Sequence, residues 1–566
     1  MVLAGPGTGK TRTLTYRLAH LMAERIAEAE QILAITFTNK AAEEMRSRVD
    51  LLCREVPTLS PPWISTFHGF CYRFLLDQSP SPSQLLSENE ALILLKETVR
   101  EKVRDFPAQS FKELARRISL AKNALVEPEA PESLPRWDTY PQWPLLYQAF
   151  QQKLAIGKYW DFDELLLQAV IILEKNPDLR ATLQGRFPYL FIDEFQDINP
   201  VQYRLFQLIT RKDGEWMVIG DPNQAIYGFR GASADFFARL HRDCPSLTEI
   251  VLTETFRLNQ TLLAASSQVL EGSPQNRSIP LISCRKGEPR VPVAVLSNAE
   301  EEGEYIAQII EEEMGGLSLS VGDQGFSPRP SQGQSRSFAD FLVLYRLHAQ
   351  GDLLAKALLK KGIPFKKIQE VHWAERPEIR TCLKMLRSFL PSNISPGAAV
   401  EKSLSGETFI PQPLADEGIE ALKKLRLQAA AFKGPLDEFI EILSLQTGLD
   451  TYEPDQETVK LLTLHAAKGL EFPVVIISGC EENLLPLSVL KESDPEEERR
   501  LFYVGLTRAK EKLFLTWAKK RTLFGQRLVQ RPSPFLEDMG TFLNHTHCPE
   551  GTKKPVRPRK KQMSLF

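Results

Sequence analysis

At 566 residues the chain is longer than a single hydrophobic core supports, so three or four domains are expected. The 43% hydrophobic and 25% charged composition is that of an ordinary soluble protein, and no apolar run reaches the roughly 20 residues of a membrane span. A net charge of −2 excludes a uniformly basic nucleic-acid binder and confines any DNA path to a local groove. The N-terminus lacks the basic-then-apolar pattern of a secretory signal. The seven cysteines (53, 71, 244, 284, 382, 480 and 548) show no zinc-type spacing and read as free thiols in a reducing cytoplasm.

In chain order, Met1-Val2-Leu3 reads as a strand stub running into Ala4-Gly5-Pro6-Gly7-Thr8-Gly9-Lys10-Thr11. Leu14, Leu18, Leu21 and Met22 then share one helical face. Residues 31–37 read as a second buried strand, followed by a polar turn and a helix from Lys40. This order opens a parallel, doubly wound sheet. From 79 to 186 the pattern is helical and punctuated by prolines 128, 131, 135, 141 and 144, as in an inserted subdomain. The sheet resumes at 189–192 and 216–219. Further strands at 291–296, 341–345, 460–464, 474–478 and 513–517 alternate with helices at 300–314 and 353–361, which predicts a second α/β domain.

The fold class is therefore α/β: two parallel-sheet cores, each with a mainly helical insertion. The expected boundaries are 1–78 with 187–258 for the first core and 79–186 for its insertion. The second core takes 259–391 with 455–540, a shorter insertion takes 392–454, and a tail runs from 541 to 566. Residues 315–337, rich in Gly, Ser, Pro and Gln, read as a disordered loop within the second core.

Two segments carry chemistry. In the glycine-rich loop the backbone can approach phosphates, the following helix N-terminus adds positive potential, Lys10 reaches the β/γ oxygens, and Thr11 offers a hydroxyl to magnesium. Ala4 stands where such loops usually begin with glycine. Asp193 and Glu194 end an apolar run, where Asp193 would hold Mg2+ and Glu194 would position and deprotonate a water. Alone, the first could be a glycine-rich turn and the second an acidic strand end. Together they predict hydrolysis of ATP or GTP.

Other segments resemble a known family. Residues Ile219-Gly220-Asp221-Pro222-Asn223-Gln224-Ala225-Ile226-Tyr227-Gly228-Phe229-Arg230-Gly231-Ala232 look like motif III of UvrD/Rep/PcrA-type superfamily 1 DNA helicases. The segments Thr36–Ala42, Ser65–Gly69, Glu254–Arg257, Thr463–Phe472 and Arg499–Lys510 also resemble that family's motifs, in its order. The resemblance implies two RecA-like cores and an ATP- and Mg2+-dependent single-stranded DNA translocase and helicase of 3′→5′ polarity, acting in repair or replication. Its partners would be single-stranded DNA and DNA with single-stranded tails.

Residue by residue, it implies that Gln224 senses the γ-phosphate and that Arg257 and Arg508 stabilise the transferring phosphoryl. Catalysis would then rest on Lys10, Asp193, Glu194, Gln224, Arg257 and Arg508. ATP would be held by Ala4 to Thr11, by Phe256 (where the family usually has tyrosine), and by Arg257, Gly469, Glu471 at the ribose, and Arg508. DNA would lie along Phe37, Thr38, Asn39, His68, Tyr227, Phe229 (in place of the usual tryptophan), Arg230 and His465. For each of these aromatics taken alone, core packing is the stronger reading; the motif context reverses this for Tyr227 and Phe229 and leaves Phe37 and His68 evenly balanced.

Two departures stand out. The family's adenine-recognition motif precedes the phosphate loop, yet the chain begins three residues before that loop, so a start further upstream or a longer parent chain is expected. The insertion before Lys460 is also short for the family, which leaves translocation intact and puts strand separation in question. The basic tail ends Gln562-Met563-Ser564-Leu565-Phe566, similar to the peptide by which bacterial DNA-metabolism proteins dock on the replication sliding clamp; Gln562, Leu565 and Phe566 would make the contact. Two other readings stand beside this one: the motor subunit of a helicase–nuclease complex, or a truncated, non-catalytic DNA- and clamp-binding protein.

Overall fold

The computed structural model describes the chain except residues 54–60, 79–83, 129, 131–132, 134–136, 212–213, 234, 274–275, 278, 288–289, 316–335, 368–372, 391–393, 406–415, 447–455, 489–492, 524 and 548–566. The chain divides into two compact units. One comprises Met1–Phe256, Arg277–Ile282 and Ile368–Glu453; the other comprises Arg257–Asn276, Ser283–Lys367 and Pro454–Phe566.

The first unit is built on a six-stranded parallel sheet of β1 (Val2–Ala4), β2 (Ile32–Thr36), β3 (Trp63–Thr66), β4 (Tyr189–Ile192), β5 (Glu215–Gly220) and β6 (Ile250–Leu252), in the order β3-β2-β4-β5-β1-β6. Every residue of β2 is buried, as expected of a strand covered by helices on both faces. Short as it is, β1 pairs on both sides: Val2 lies opposite Ile219 and Ile250, and Leu3 opposite Gly220 and Val251. The Met1 ammonium group donates to Thr248 O at 2.8 Å.

The helical insertion contributes helices Glu88–Lys102, Phe111–Asn123, Trp143–Gly157, Phe162–Lys175 and Pro177–Arg186. The fourth of these is shared with the core: Leu165, Leu166, Ala169, Val170 and Leu173 pack with Phe70, Phe74 and Leu205.

Helices Pro377–Ser388, Pro396–Ser405, Asp416–Ala431 and Leu436–Leu445 close around their own core of Ile379, Leu383, Leu386, Val400, Leu425 and Phe439. They belong to the first unit, which corrects the expected boundary: Pro377–Ser388, placed in the second core, shares its apolar core with the 392–454 helices, and the whole group packs with the first unit. Leu445 enters its hydrophobic core, Arg73 lies 3.6 Å from Asp437 and 3.7 Å from Glu441, and Lys384 pairs with Glu90 at 2.9 Å.

The second unit holds a seven-stranded parallel sheet of β7 (Val291–Leu296), β8 (Phe341–Tyr345), β9 (Phe365–Lys367), β10 (Val459–Thr463), β11 (Phe472–Ile477), β12 (Ala509–Ala518) and β13 (Leu543–His547). Their order is β9-β10-β8-β11-β12-β7-β13. A second boundary is corrected here. The tail placed at 541–566 begins later, because Leu543 to His547 pair with Val291 to Val295 as an edge strand and Leu543 is buried. Backbone pairing supplies what a polar sequence such as Asn-His-Thr does not advertise. The loop expected at 315–337 and the clamp-like Gln562, Leu565 and Phe566 fall largely or wholly outside the described residues.

Candidate nucleotide site and nucleic-acid interface

The phosphate loop connects β1 to helix Lys10–Ala23, and its shape is fixed by the chain around it. Gly7 and Gly9 take φ of +74° and +87°, a left-handed conformation that side-chain-bearing residues avoid. Thr8 Oγ1 donates to Gly5 O at 2.9 Å, Thr255 Oγ1 to Pro6 O at 2.8 Å, and the Phe256 N–H to Gly7 O at 3.0 Å. The carbonyls are thus bonded from behind. No side chain caps the helix start and no acid lies in its first turn, which leaves a positive helix end suited to an anion.

Asp193 and Glu194 follow β4. The Asp193 N–H donates to Ile35 O at 2.8 Å, which sets the carboxylate at the C-terminal edge of the sheet beside Thr11. Thr11 Oγ1 donates to Asp193 Oδ2 at 3.4 Å. Burial and the adjacent Glu194 push the Asp193 carboxyl up to about 7, against the pull of Lys10. Glu194 holds φ of +52°, a strained value for a non-glycine residue. Among the described residues no cluster of three or more His, Cys, Asp or Glu side chains could cage a metal ion. Mg2+ needs less: one or two hard oxygen ligands, the rest coming from phosphates and water, and Thr11 with Asp193 fit that requirement.

Gln224 is buried and donates to Asp221 Oδ2 at 2.7 Å. Beyond it, Tyr227, Phe229 and Arg230 lead out to the surface. Phe37 stacks on Tyr227 with centroids 4.9 Å apart, and Phe229 meets Tyr227 edge-on at 6.0 Å. The Arg230 guanidinium lies 5.9 Å from the Tyr227 ring and 5.7 Å from the Phe229 ring. Tyr227 is only 4% exposed, whereas Phe229 is 50% exposed. Of the two rings, Phe229 therefore offers an open face and Tyr227 supports it.

His68 packs edge-on to Phe162 at 5.7 Å; burial, reinforced by Arg230, pushes its imidazole down to about 4, so it is neutral at physiological pH. Thr38 caps helix Asn39–Leu52 by accepting from the Ala41 N–H at 3.1 Å, and Asn39 donates to Leu445 O at 2.8 Å.

The second unit carries its own cluster. Arg257 is ion-paired with Glu471, whose other oxygen takes Lys510 at 2.8 Å. Burial works against ionisation of Glu471, yet Arg257 and Lys510 together hold its carboxyl below the usual range. Arg508 is 1% exposed and folded onto its own chain, donating to Val504 O at 2.8 Å, Leu470 O at 3.1 Å and Thr507 Oγ1 at 3.0 Å. Gly469, at φ +82°, shapes the turn between β10 and β11 in which half-buried His465 also lies.

Three groups escaped the sequence reading. Gln196 and Asp221 link Glu194 to Gln224 by hydrogen bonds. Lys122 is fully buried in the helical insertion between Asp161 and Glu164, at 2.7 and 2.9 Å. A buried lysine is invisible in a helical pattern, but Gln196 follows the Asp193–Glu194 pair and Asp221 sits inside the segment 219–232, and their polarity beside apolar strands was an available signal.

Comparison with known proteins decides the family. Residues 1–245 match the family described as the UvrD/REP helicase N-terminal domain. Residues 250–409 and 413–520 match the UvrD-like helicase C-terminal domain. The chain belongs to the UvrD-like helicase family. An ATP-dependent DNA helicase PcrA of Staphylococcus epidermidis is 28% identical over 657 residues, covering 99% of this chain and 87% of the relative. One of the same name from Staphylococcus aureus is 26% identical over 656 residues, with the same coverage. Among the described residues this helicase has no helix long and apolar enough to cross a membrane.

Proposed function

We propose that this ATP-dependent DNA helicase is a single-stranded DNA translocase whose hydrolytic residues in the first unit are Lys10, Thr11, Asp193, Glu194 and Gln224; the motif resemblance assigns Arg257 and Arg508 to the transferring phosphoryl. The observation that carries the reading is the meeting of Thr11 and Asp193, distant in sequence, at an uncapped helix N-terminus. Lys10 and the loop N–H groups take the phosphates, and Glu194 accepts the proton of the attacking water. Thr11 and Asp193 would hold Mg2+, which supplies charge neutralisation to the phosphates when bound. The arginines answer the charge that develops on the transferring phosphoryl. In the first unit DNA would lie along Phe37, Phe229, Arg230, Asn39, Thr38 and His68, its bases stacking on exposed ring faces without sequence preference, and the motif resemblance assigns His465 a DNA contact in the second.

We further propose 3′→5′ polarity and a role in repair or replication, supported by the motif resemblance, with recruitment at replication forks supported by the clamp-like sequence of the terminus. The two cores and their two helical insertions are proposed as the functional units of this motor, with the short 392–454 insertion limiting strand separation more than translocation.

The test is ATP turnover with and without single-stranded DNA, beside a Glu194→Gln variant. Stimulation by about tenfold or more that vanishes in the variant and on chelation of divalent cations supports the reading. An equal, low rate in both proteins would overturn it.

A further inference from the structure

Gln196 lies two residues beyond Glu194, in the turn Phe195–Asp197, and is fully buried. Its amide nitrogen donates to Glu194 Oε2 and, at 3.4 Å, to Asp197 Oδ2. Its amide oxygen accepts from the Asp221 N–H at 3.0 Å. Asp221 in turn accepts from Gln224 Nε2 at 2.7 Å on Oδ2 and from the Asn223 N–H at 3.0 Å on Oδ1. Glu194, Gln196, Asp221 and Gln224 thus form one continuous chain of hydrogen bonds.

The partners dictate the orientation of the amide. A backbone N–H requires the oxygen on one side, and carboxylates require the NH2 on the other. A carboxylate in this place would satisfy one side, and a hydrocarbon neither. Room is made for it, since a Cβ on Gly220 would lie 2.4 Å from Gln196 Oε1. The turn Pro222–Gln224 leads, through Ala225, Ile226 and Tyr227, to the turn Gly228–Arg230, which carries exposed Phe229.

We propose that Gln196 is a positioning residue that ties the aim of the Glu194 carboxylate to the Asp221–Gln224 turn, and through that turn to the DNA strand resting on Phe229. This rests on the reading of Glu194 as the water-activating group. Glu194, held at φ +52°, has no regular structure of its own to aim it, and a buried amide bonded to a separate strand end supplies a fixed reference. Hydrolysis then becomes conditional on the position of the DNA-facing segment.

The experiment measures steady-state ATP turnover by the full chain, with and without an oligo-dT strand, for Gln196→Met, Gln196→Glu, Gln224→Ala and the Gln196→Met/Gln224→Ala double variant. Gln196→Met keeps the volume and loses both bonds. Gln196→Glu keeps the acceptor for Asp221 and loses the donor to Glu194. Each is expected to lose about tenfold or more of the DNA-stimulated kcat, with KM for ATP and DNA affinity within about twofold. The double variant is expected to fall no more than about twofold below the weaker single one, because both act through one chain of bonds.

Losses that multiply, or a stimulation ratio equal to wild type in either folded variant, would overturn the proposal. Glu194→Gln separates the two readings. If it retains turnover, the assignment of Glu194 fails; if it is inactive while the Gln196 variants keep full stimulation, only the role of Gln196 fails.

Discussion

Arg257 and Glu471, proposed above for separate roles at the nucleotide, form an ion pair within the second unit. Lys510 completes the set at 2.8 Å from the second carboxylate oxygen. If Glu471 binds the ribose, Glu471→Ala raises KM for ATP by about tenfold, the scale of one lost charge-assisted hydrogen bond, and leaves kcat within about threefold. If Arg257 answers the charge on the transferring phosphoryl, Arg257→Ala is expected instead to lower kcat by about 100-fold or more, the mark of an interaction made in the transition state. Steady-state kinetics on the two variants separate these outcomes. A collapse of kcat in Glu471→Ala would show that its main task is to orient Arg257.

The aromatic pair beyond Gln224 divides labour by burial. Phe229→Ala is expected to weaken binding of an oligo-dT strand by about 1–3 kcal/mol, the value of one stacked base, with little change in stability. Tyr227→Ala removes a buried ring from under Phe37 and is expected to cost about 3–5 kcal/mol of folding stability. Fluorescence anisotropy and denaturant melts on both variants check the division. Equal losses of stability would refute it.

How far the sequence foretold this structure depended on the range of the forces involved. Phe341–Tyr345, five consecutive buried residues, announced a covered strand, and the phosphate loop was legible because its glycines answer a local backbone need. Phe365–Lys367 and Ile250–Leu252 are too short for any periodicity to show, and Leu543–His547 is a strand only because Val291–Val295 lies beside it. The same limit hid part of the site. Thr11 and Asp193 were paired by their chemistry, but nothing local in Gln196 says that Asp221 will arrive against its amide oxygen. The attachment of the 377–445 helices to the first unit rests on Leu445, Arg73 and Glu90, contacts between distant segments that no pattern within either segment encodes.

Lys122 shows what such a long-range contact is worth. Burial alone would lower its pKa, but Asp161 and Glu164 outweigh this and raise it, so the ammonium stays charged inside the helical insertion. Asp161 also caps helix Phe162–Lys175, accepting from the Glu164 N–H at 2.7 Å. Lys122→Met leaves two buried carboxylates facing each other and is expected to cost about 3–5 kcal/mol. Adding Asp161→Asn and Glu164→Gln to that variant removes both uncompensated charges and should recover most of the loss. Urea melts of the single and triple variants provide the comparison; a triple variant no more stable than the single one would contradict it.

Acidity should likewise strengthen the contact made by helix Leu436–Leu445. Burial pushes the Glu441 carboxyl up to about 7; Arg73 opposes this, while Glu438, Asp437 and, from the facing helix, Asp77 add to it. An unfolded glutamate titrates near 4.5. Between these values the folded chain binds more protons than the unfolded one, so stability is greatest at the acid end of the window and falls as pH rises through 7. The full span corresponds to about 3 kcal/mol at most for this group. Glu375, pushed up to about 7 by burial and Glu88 against the pull of Arg380, adds a slope of the same sign. Thermal melts from pH 5.5 to 8 should therefore show a falling midpoint, and Glu441→Gln, which fixes the neutral form, should flatten it. A variant whose midpoint falls as steeply as wild type would mean that Glu441 is ionised throughout and that Arg73 dominates its surroundings.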